Sequence, residues 1–171
     1  MIEVLDRLYL GDRQSACDRK GLMDQGITHI VNCALEIPCY YCQEFRYLAL
    51  QLEDPDPEFH SCLGQAFTFI DEARQTGKVL VHCQACVSRS PALTLAYLCH
   101  LGQPLAEAAR HLGQVLPTNP DPVFLLQLVE YLDLDWPPEY IEKLALTLMG
   151  QPQEILEQSP AGADSGMDAP C

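Results

Sequence analysis

The chain has 171 residues, 48% of them apolar and 20% charged, a balance that suits one soluble domain with a single core. Its net charge of −14 excludes the basic footprint that nucleic acid demands, and no run of about eighteen apolar residues exists to cross a membrane. The acidity is uneven: residues 121–171 hold 10 acids against a single base, Lys143.

In chain order, Val4–Gly11 reads as a short strand pair or extended edge, with Leu8 and Leu10 on one face. Residues 18–25 suggest a short helix with Asp18 as N-cap and Gly26 as terminator. A β-branched strand follows over 27–33, and alternation marks another over 46–52. Leu63, Phe67, Ile70 and Ala73 give residues 60–75 a helical period. Val79-Leu80-Val81 is a brief apolar run of the kind buried on both sheet faces. Residues 91–101 are apolar nearly all round and end at Gly102, which predicts a central buried helix. Helices are also expected over 104–116 and 122–132, each with a proline where a first turn tolerates one. The alternation of strands and helices predicts an α/β domain, a mostly parallel sheet covered by helices in three layers. The domain is expected over 1–135, an extra helix within 136–149, and a disordered acidic tail over 150–171.

The nine cysteines are odd in number, and Cys33 and Cys99 sit in apolar segments where a reduced thiol packs as a small hydrophobe. The N-terminal residues lack the basic start and apolar run of a signal peptide, so the expected location is cytoplasmic, with the nucleus also allowed. Cys39 and Cys42 have metal-ligand spacing, but no second pair of matching spacing accompanies them, and a loop without a ligand role is the simpler reading.

The chemistry concentrates in Val79-Leu80-Val81-His82-Cys83-Gln84-Ala85-Cys86-Val87-Ser88-Arg89-Ser90-Pro91: a strand, a cysteine, five residues, an arginine, a helix. A loop of that length between a strand end and a helix N-terminus can turn successive N–H groups into one concavity. The helix dipole backs it, and such a nest binds phosphate even on an acidic domain. The nest is formed by Gln84, Ala85, Cys86, Val87, Ser88 and Arg89, and Arg89 adds a bidentate fork that lysine lacks. A thiol at a helix N-terminus beside arginine titrates at roughly 3.5–7.5, so Cys83 is expected as a thiolate nucleophile. Ser90 is placed to hydrogen-bond the sulfur as it leaves, or to cap the helix before Pro91; the two roles are compatible. His82 is expected to orient the loop and tune Cys83 by hydrogen bonding.

His82-Cys83-x5-Arg89-Ser90 is similar to the signature of protein tyrosine and dual-specificity phosphatases. The resemblance extends to Leu8-Tyr9-Leu10-Gly11, to residues 26–34, to Phe69-Ile70-Asp71-Glu72-Ala73, to Ser90-Pro91-Ala92-Leu93 and to Phe124-Leu125-Leu126-Gln127-Leu128. It covers residues 2–132 and marks the chain as resembling a small dual-specificity phosphatase. The resemblance implies metal-independent hydrolysis of phosphotyrosine, with phosphoserine and phosphothreonine, in protein substrates. The intermediate is a cysteinyl phosphate, and no cofactor takes part. It also implies a general acid in a loop after an extended strand, about thirty residues before the cysteine. Asp54 matches best, counted from the strand, and Asp56 and Glu53 lie close enough to substitute.

One departure stands out. The family usually has Gly three residues after the nucleophile, where this chain has Cys86. A Cβ there strains the loop, or is absorbed if the backbone is ordinary. Cys86 is also near enough to resolve an oxidised Cys83 as a disulfide, or is a bare replacement for glycine. The rival function is a phosphatase-like module that binds phosphorylated partners with weak turnover. Phosphoinositide and RNA 5′-phosphate substrates are disfavoured because Gln84, Ala85, Val87 and Ser88 are neutral.

Overall fold

In a computed structural model, residues 1–151 are described, so the expected acidic tail lies almost wholly outside them. Five strands form one sheet in the order β1-β2-β5-β3-β4. They are β1 (Ile2–Leu5), β2 (Leu8–Gly11), β3 (Ile27–Ala34), β4 (Arg46–Leu52) and β5 (Lys78–His82). Only the β1–β2 hairpin is antiparallel; β2, β5, β3 and β4 run parallel. The expected mostly parallel α/β sheet is therefore present.

The strands alternate as a two-faced sheet requires. Leu8, Leu10, Val31, Cys33, Val79 and Val81 belong to the larger core cluster. Tyr9, Ile30 and Leu80 face the smaller cluster on the opposite side. That side is closed by α1 (Arg13–Cys17) and α2 (Arg19–Gln25), through Ala16 and Leu22. Asp18 caps α2 through the Gly21 amide, and Gly26 ends it at φ 73°, both as expected. The five-residue α1 has no counterpart in the sequence reading. It is too short to show a period, and its start is fixed by Asp12, whose carboxylate accepts from the Ser15 amide.

The larger face carries α3 (Leu63–Thr76), α4 (Arg89–His100), α5 (Leu105–Val115), α6 (Pro122–Tyr131) and α7 (Pro138–Leu148). Helix α4 is central: Pro91 to Leu98 are all buried, matching its all-round apolar sequence. Burying each of Leu93, Leu95 and Leu98 contributes about 1.5–3 kcal/mol. Helix α7 lies against α5, with Leu144 and Leu148 in the main core. Gly113 permits that approach, since a Cβ there would collide with the Thr147 carbonyl.

Candidate active site

In a parallel sheet the strand C-termini share one edge, and ligands bind there. β5 delivers Cys83 to that edge at the centre of the sheet, and β3 and β4 deliver Glu36 and Asp54 beside it. Cys83 is 2% exposed, at the floor of the loop Gln84–Ser88. Among the described residues, no backbone hydrogen bond is donated by the amides of residues 84–88. The loop carbonyls, by contrast, are tied down. Gln84 O accepts from the Arg13 amide, Val87 O from Asn119 and Ser88 O from Ala92. Turning oxygens into the protein leaves the N–H groups for an anion, and α4 adds its positive end.

Helix α4 begins at Arg89, two residues before the expected proline start. The capping alternative for Ser90 is thereby corrected. Its hydroxyl is buried inside the first turn and donates to Cys83 Sγ at 3.1 Å. Ser88 holds the N-cap position yet makes no capping bond, because its hydroxyl is engaged elsewhere.

Arg89 is 5% exposed and its guanidinium is almost fully partitioned. Nη1 and Nη2 each donate to one carboxylate oxygen of Glu36 at 2.7 Å, and Nη1 also donates to the Leu52 carbonyl at 3.1 Å. Nε has no hydrogen-bond partner. The guanidinium has two forked edges. Glu36 takes the Nη1/Nη2 edge; on the Nε/Nη2 edge Nε makes no hydrogen bond, its nearest carboxylate oxygen being Asp54 Oδ2 at 3.5 Å, and this is the edge whose geometry suits phosphate. The Arg89 hydrogen bonds hold the Glu36 carboxyl below its ordinary range, and Glu36 in turn raises Arg89.

The position of Leu52 has a local cause. The β3–β4 ladder skips one residue on β4 between the pairs Asn32–Ala49 and Ala34–Leu52, a bulge at which Gln51 takes φ 55°. The bulge turns the chain so that Leu52 O faces Arg89 and Asp54 follows within 3.5 Å of Arg89 Nε. Glu36 is aimed by Asn32, which donates to the Ile37 carbonyl and accepts from the Ala34 amide across the intervening turn.

The structure separates the three candidate acids. Asp54 reaches the loop: its Oδ1 accepts from Ser88 Oγ at 2.7 Å, and its Oδ2 lies 3.5 Å from Arg89 Nε. Both oxygens of Asp56 instead accept backbone amides, from Glu53 and Glu58, and staple the turn. Glu53 takes part in this turn through its backbone amide, which donates to Asp56. Glu36 and Asp121 escaped the sequence reading, although a carboxylate two residues beyond a parallel strand's C-terminus is a signal for Glu36.

His82 is fully buried, and neither ring nitrogen has a hydrogen-bond partner. Burial pushes the imidazole down to about 4, partly offset by the Cys83 backbone and by the charge of Asp12. It is therefore neutral at pH 7, and the expected bond tuning the Cys83 sulfur is not made. Cys86 sits at φ 57°, the left-handed region that favours glycine, so the loop backbone is not ordinary there. Burial, aided by nearby Cys83, pushes its thiol up to about 12. A thiol so held is a poor nucleophile toward an oxidised neighbour.

The dual specificity phosphatase, catalytic domain, family model matches residues 8–133. The chain belongs to that family. Among its relatives, MAP kinase phosphatase with leucine-rich repeats protein 1 of Dictyostelium discoideum is 41% identical over 96 residues, covering 56% of this chain and 11% of that protein. Human protein phosphatase Slingshot homolog 3 is 36% identical over 132 residues, 75% of this chain and 20% of its own. The crystal structure of human DUSP28 superposes with a TM-score of 0.73 at 29% identity, over 78% of this chain and 96% of that one. Human tyrosine phosphatase-like serine/threonine/tyrosine-interacting protein superposes at 0.72 with 34% identity, over 78% and 95%. The chain spans less than a third of the length of these curated relatives, 11% of the Dictyostelium protein and 20% of the Slingshot homolog.

Proposed function

We propose that the protein hydrolyses phosphotyrosine, and phosphoserine and phosphothreonine, in protein substrates through a cysteinyl-phosphate intermediate. The observation that carries this reading is the buried Nε of Arg89, a donor without a hydrogen-bond partner, beside a cysteine at a helix N-terminus. A buried unpartnered donor is costly unless a ligand satisfies it, and a phosphate dianion does so.

In this scheme the Cys83 sulfur attacks phosphorus in line, forming S–P as P–O breaks. Asp54 donates its proton to the departing oxygen. The loop amides and Arg89 supply the stabilising charge where another phosphatase would need a metal. Water then attacks the phosphocysteine while the Asp54 carboxylate takes its proton. The Ser90 hydroxyl, already 3.1 Å from the sulfur, stabilises the thiolate as it leaves. A reducing compartment, cytoplasm or nucleus, belongs to the proposal because Cys83 must remain a thiol.

The second reading, a phosphate-binding module, is favoured by one observation: the left-handed backbone at Cys86. Phosphate release from an aryl phosphate separates the two. Turnover that survives EDTA and vanishes in Cys83→Ser supports the enzyme. Phosphopeptide binding without turnover in the wild type replaces it with the module.

A further inference from the structure

The hydroxyl of Ser88 lies between two groups. It donates to Asp54 Oδ1 at 2.7 Å and accepts the Asp121 amide at 3.1 Å. Asp121 is itself fixed at the start of α6, where its carboxylate accepts the Val123 amide at 2.9 Å. A serine hydroxyl has one proton, and here the amide behind it directs that proton to Asp54. The loop containing Asp54 is thus tied to the phosphate loop by one side chain.

The two oxygens of Asp54 are not equivalent. Oδ1 accepts from Ser88, whereas Oδ2 lies 3.5 Å from Arg89 Nε, which makes no hydrogen bond. When the carboxyl group is protonated, the oxygen that accepts a hydrogen bond serves as the carbonyl and the other carries the proton. We propose that Ser88 is a positioning residue that fixes the Asp54 proton on Oδ2, facing the leaving group of a bound phosphate ester. The proposal rests on the phosphatase reading above and adds to it the reason why Asp54 serves as acid. The hydrogen bonds of the Ser88 hydroxyl go to Asp54 and come from the Asp121 amide, and none reaches the sulfur; it acts through Asp54.

Such a role has a signature that a structural serine lacks. Proton donation matters most when the leaving group is poor, so the effect must grow from an activated nitrophenyl phosphate to phenyl phosphate. Wild type, Ser88→Ala, Ser88→Thr, Asp54→Ala and the double variant are compared on both esters, with circular dichroism as the check on folding. The expected loss of kcat in Ser88→Ala is about tenfold larger on phenyl phosphate than on the nitrophenyl ester, the scale of one hydrogen bond to a charged group. Ser88→Thr, which keeps the hydroxyl, restores most of it. The double variant is no slower than Asp54→Ala, because both changes remove one function. Equal losses on the two esters, or additive losses in the double variant, overturn the role. If Cys83→Ser turns over as fast as the wild type, the phosphatase reading itself fails, and that outcome differs from either result for Ser88.

Discussion

Glu36 and Arg89, 53 residues apart, form a two-pronged ion pair with both N–O distances at 2.7 Å. Glu36 is half exposed while Arg89 is buried, so the carboxylate reaches inward from the rim to hold the guanidinium. Glu36→Ala frees Arg89 to rotate its open edge away from phosphate. We expect kcat/KM to fall about tenfold, by a similar factor for good and poor leaving groups, and inorganic phosphate to inhibit less well. A loss confined to poor leaving groups would place Glu36 in proton transfer instead. Arg89→Lys should be worse, roughly a hundredfold or more, since an ammonium cannot occupy both Glu36 and phosphate in forked geometry.

The buried His82 makes stability depend on pH. The unfolded chain takes up a proton near pH 6.5 that the folded state refuses until about 4. Its contribution is therefore complete above pH 6.5 and is lost as pH falls toward 4, about 3 kcal/mol in all. Urea midpoints between pH 7 and 4 should decline accordingly in the wild type. His82→Asn should flatten the decline. An imidazole that titrates at 6.5 by NMR in the folded protein contradicts this assignment.

Cys86 offers a test of loop strain. At φ 57° a side chain costs about 1 kcal/mol relative to glycine, against which the thiol's packing on the main core must be set. Cys86→Gly should change the urea midpoint little, within about 1 kcal/mol, while Cys86→Val, branched at Cβ, should destabilise by more than that. If Val is tolerated as well as Gly, the loop is not strained there.

Charge around the site predicts a substrate preference. The carboxylates of Glu36 and Asp54 contact Arg89 and Ser88, and Arg13, which touches the loop through its amide, turns its side chain to the Tyr40 hydroxyl. In a chain of net charge −14, phosphopeptides flanked by Lys or Arg should outrun acidic ones about tenfold in kcat/KM at low salt. Added salt should narrow the gap. Equal rates at low ionic strength would refute the preference.

How much of this was legible depended on how local each cause is. The strand ending in His82, the Cys83-x5-Arg89 loop and the buried helix behind it could be read because one contiguous segment holds them all. Asp54 was placed beside Asp56 and Glu53, and only the turn geometry, with both Asp56 oxygens on backbone amides, separates them. Glu36 went unread because its partner is brought to it by sheet order, not by spacing. The partnerless ring of His82 was equally hidden: histidine in sequence says nothing of which groups surround it. The capping role expected of Ser90 fell away because the helix starts two residues earlier than proline suggested.

The place of β5 in the sheet bears on how the molecule is assembled. This strand comes last of the five in sequence but sits between β2 and β3, pairing with residues some 50 to 70 positions earlier. Its pairings on both sides span long stretches of chain, closures of high contact order and slow kinetics. Cys83 hangs from the end of that strand. The phosphate cradle therefore depends on the slowest kind of pairing in the sheet, and we expect recovery of activity during refolding to lag behind the return of helical signal.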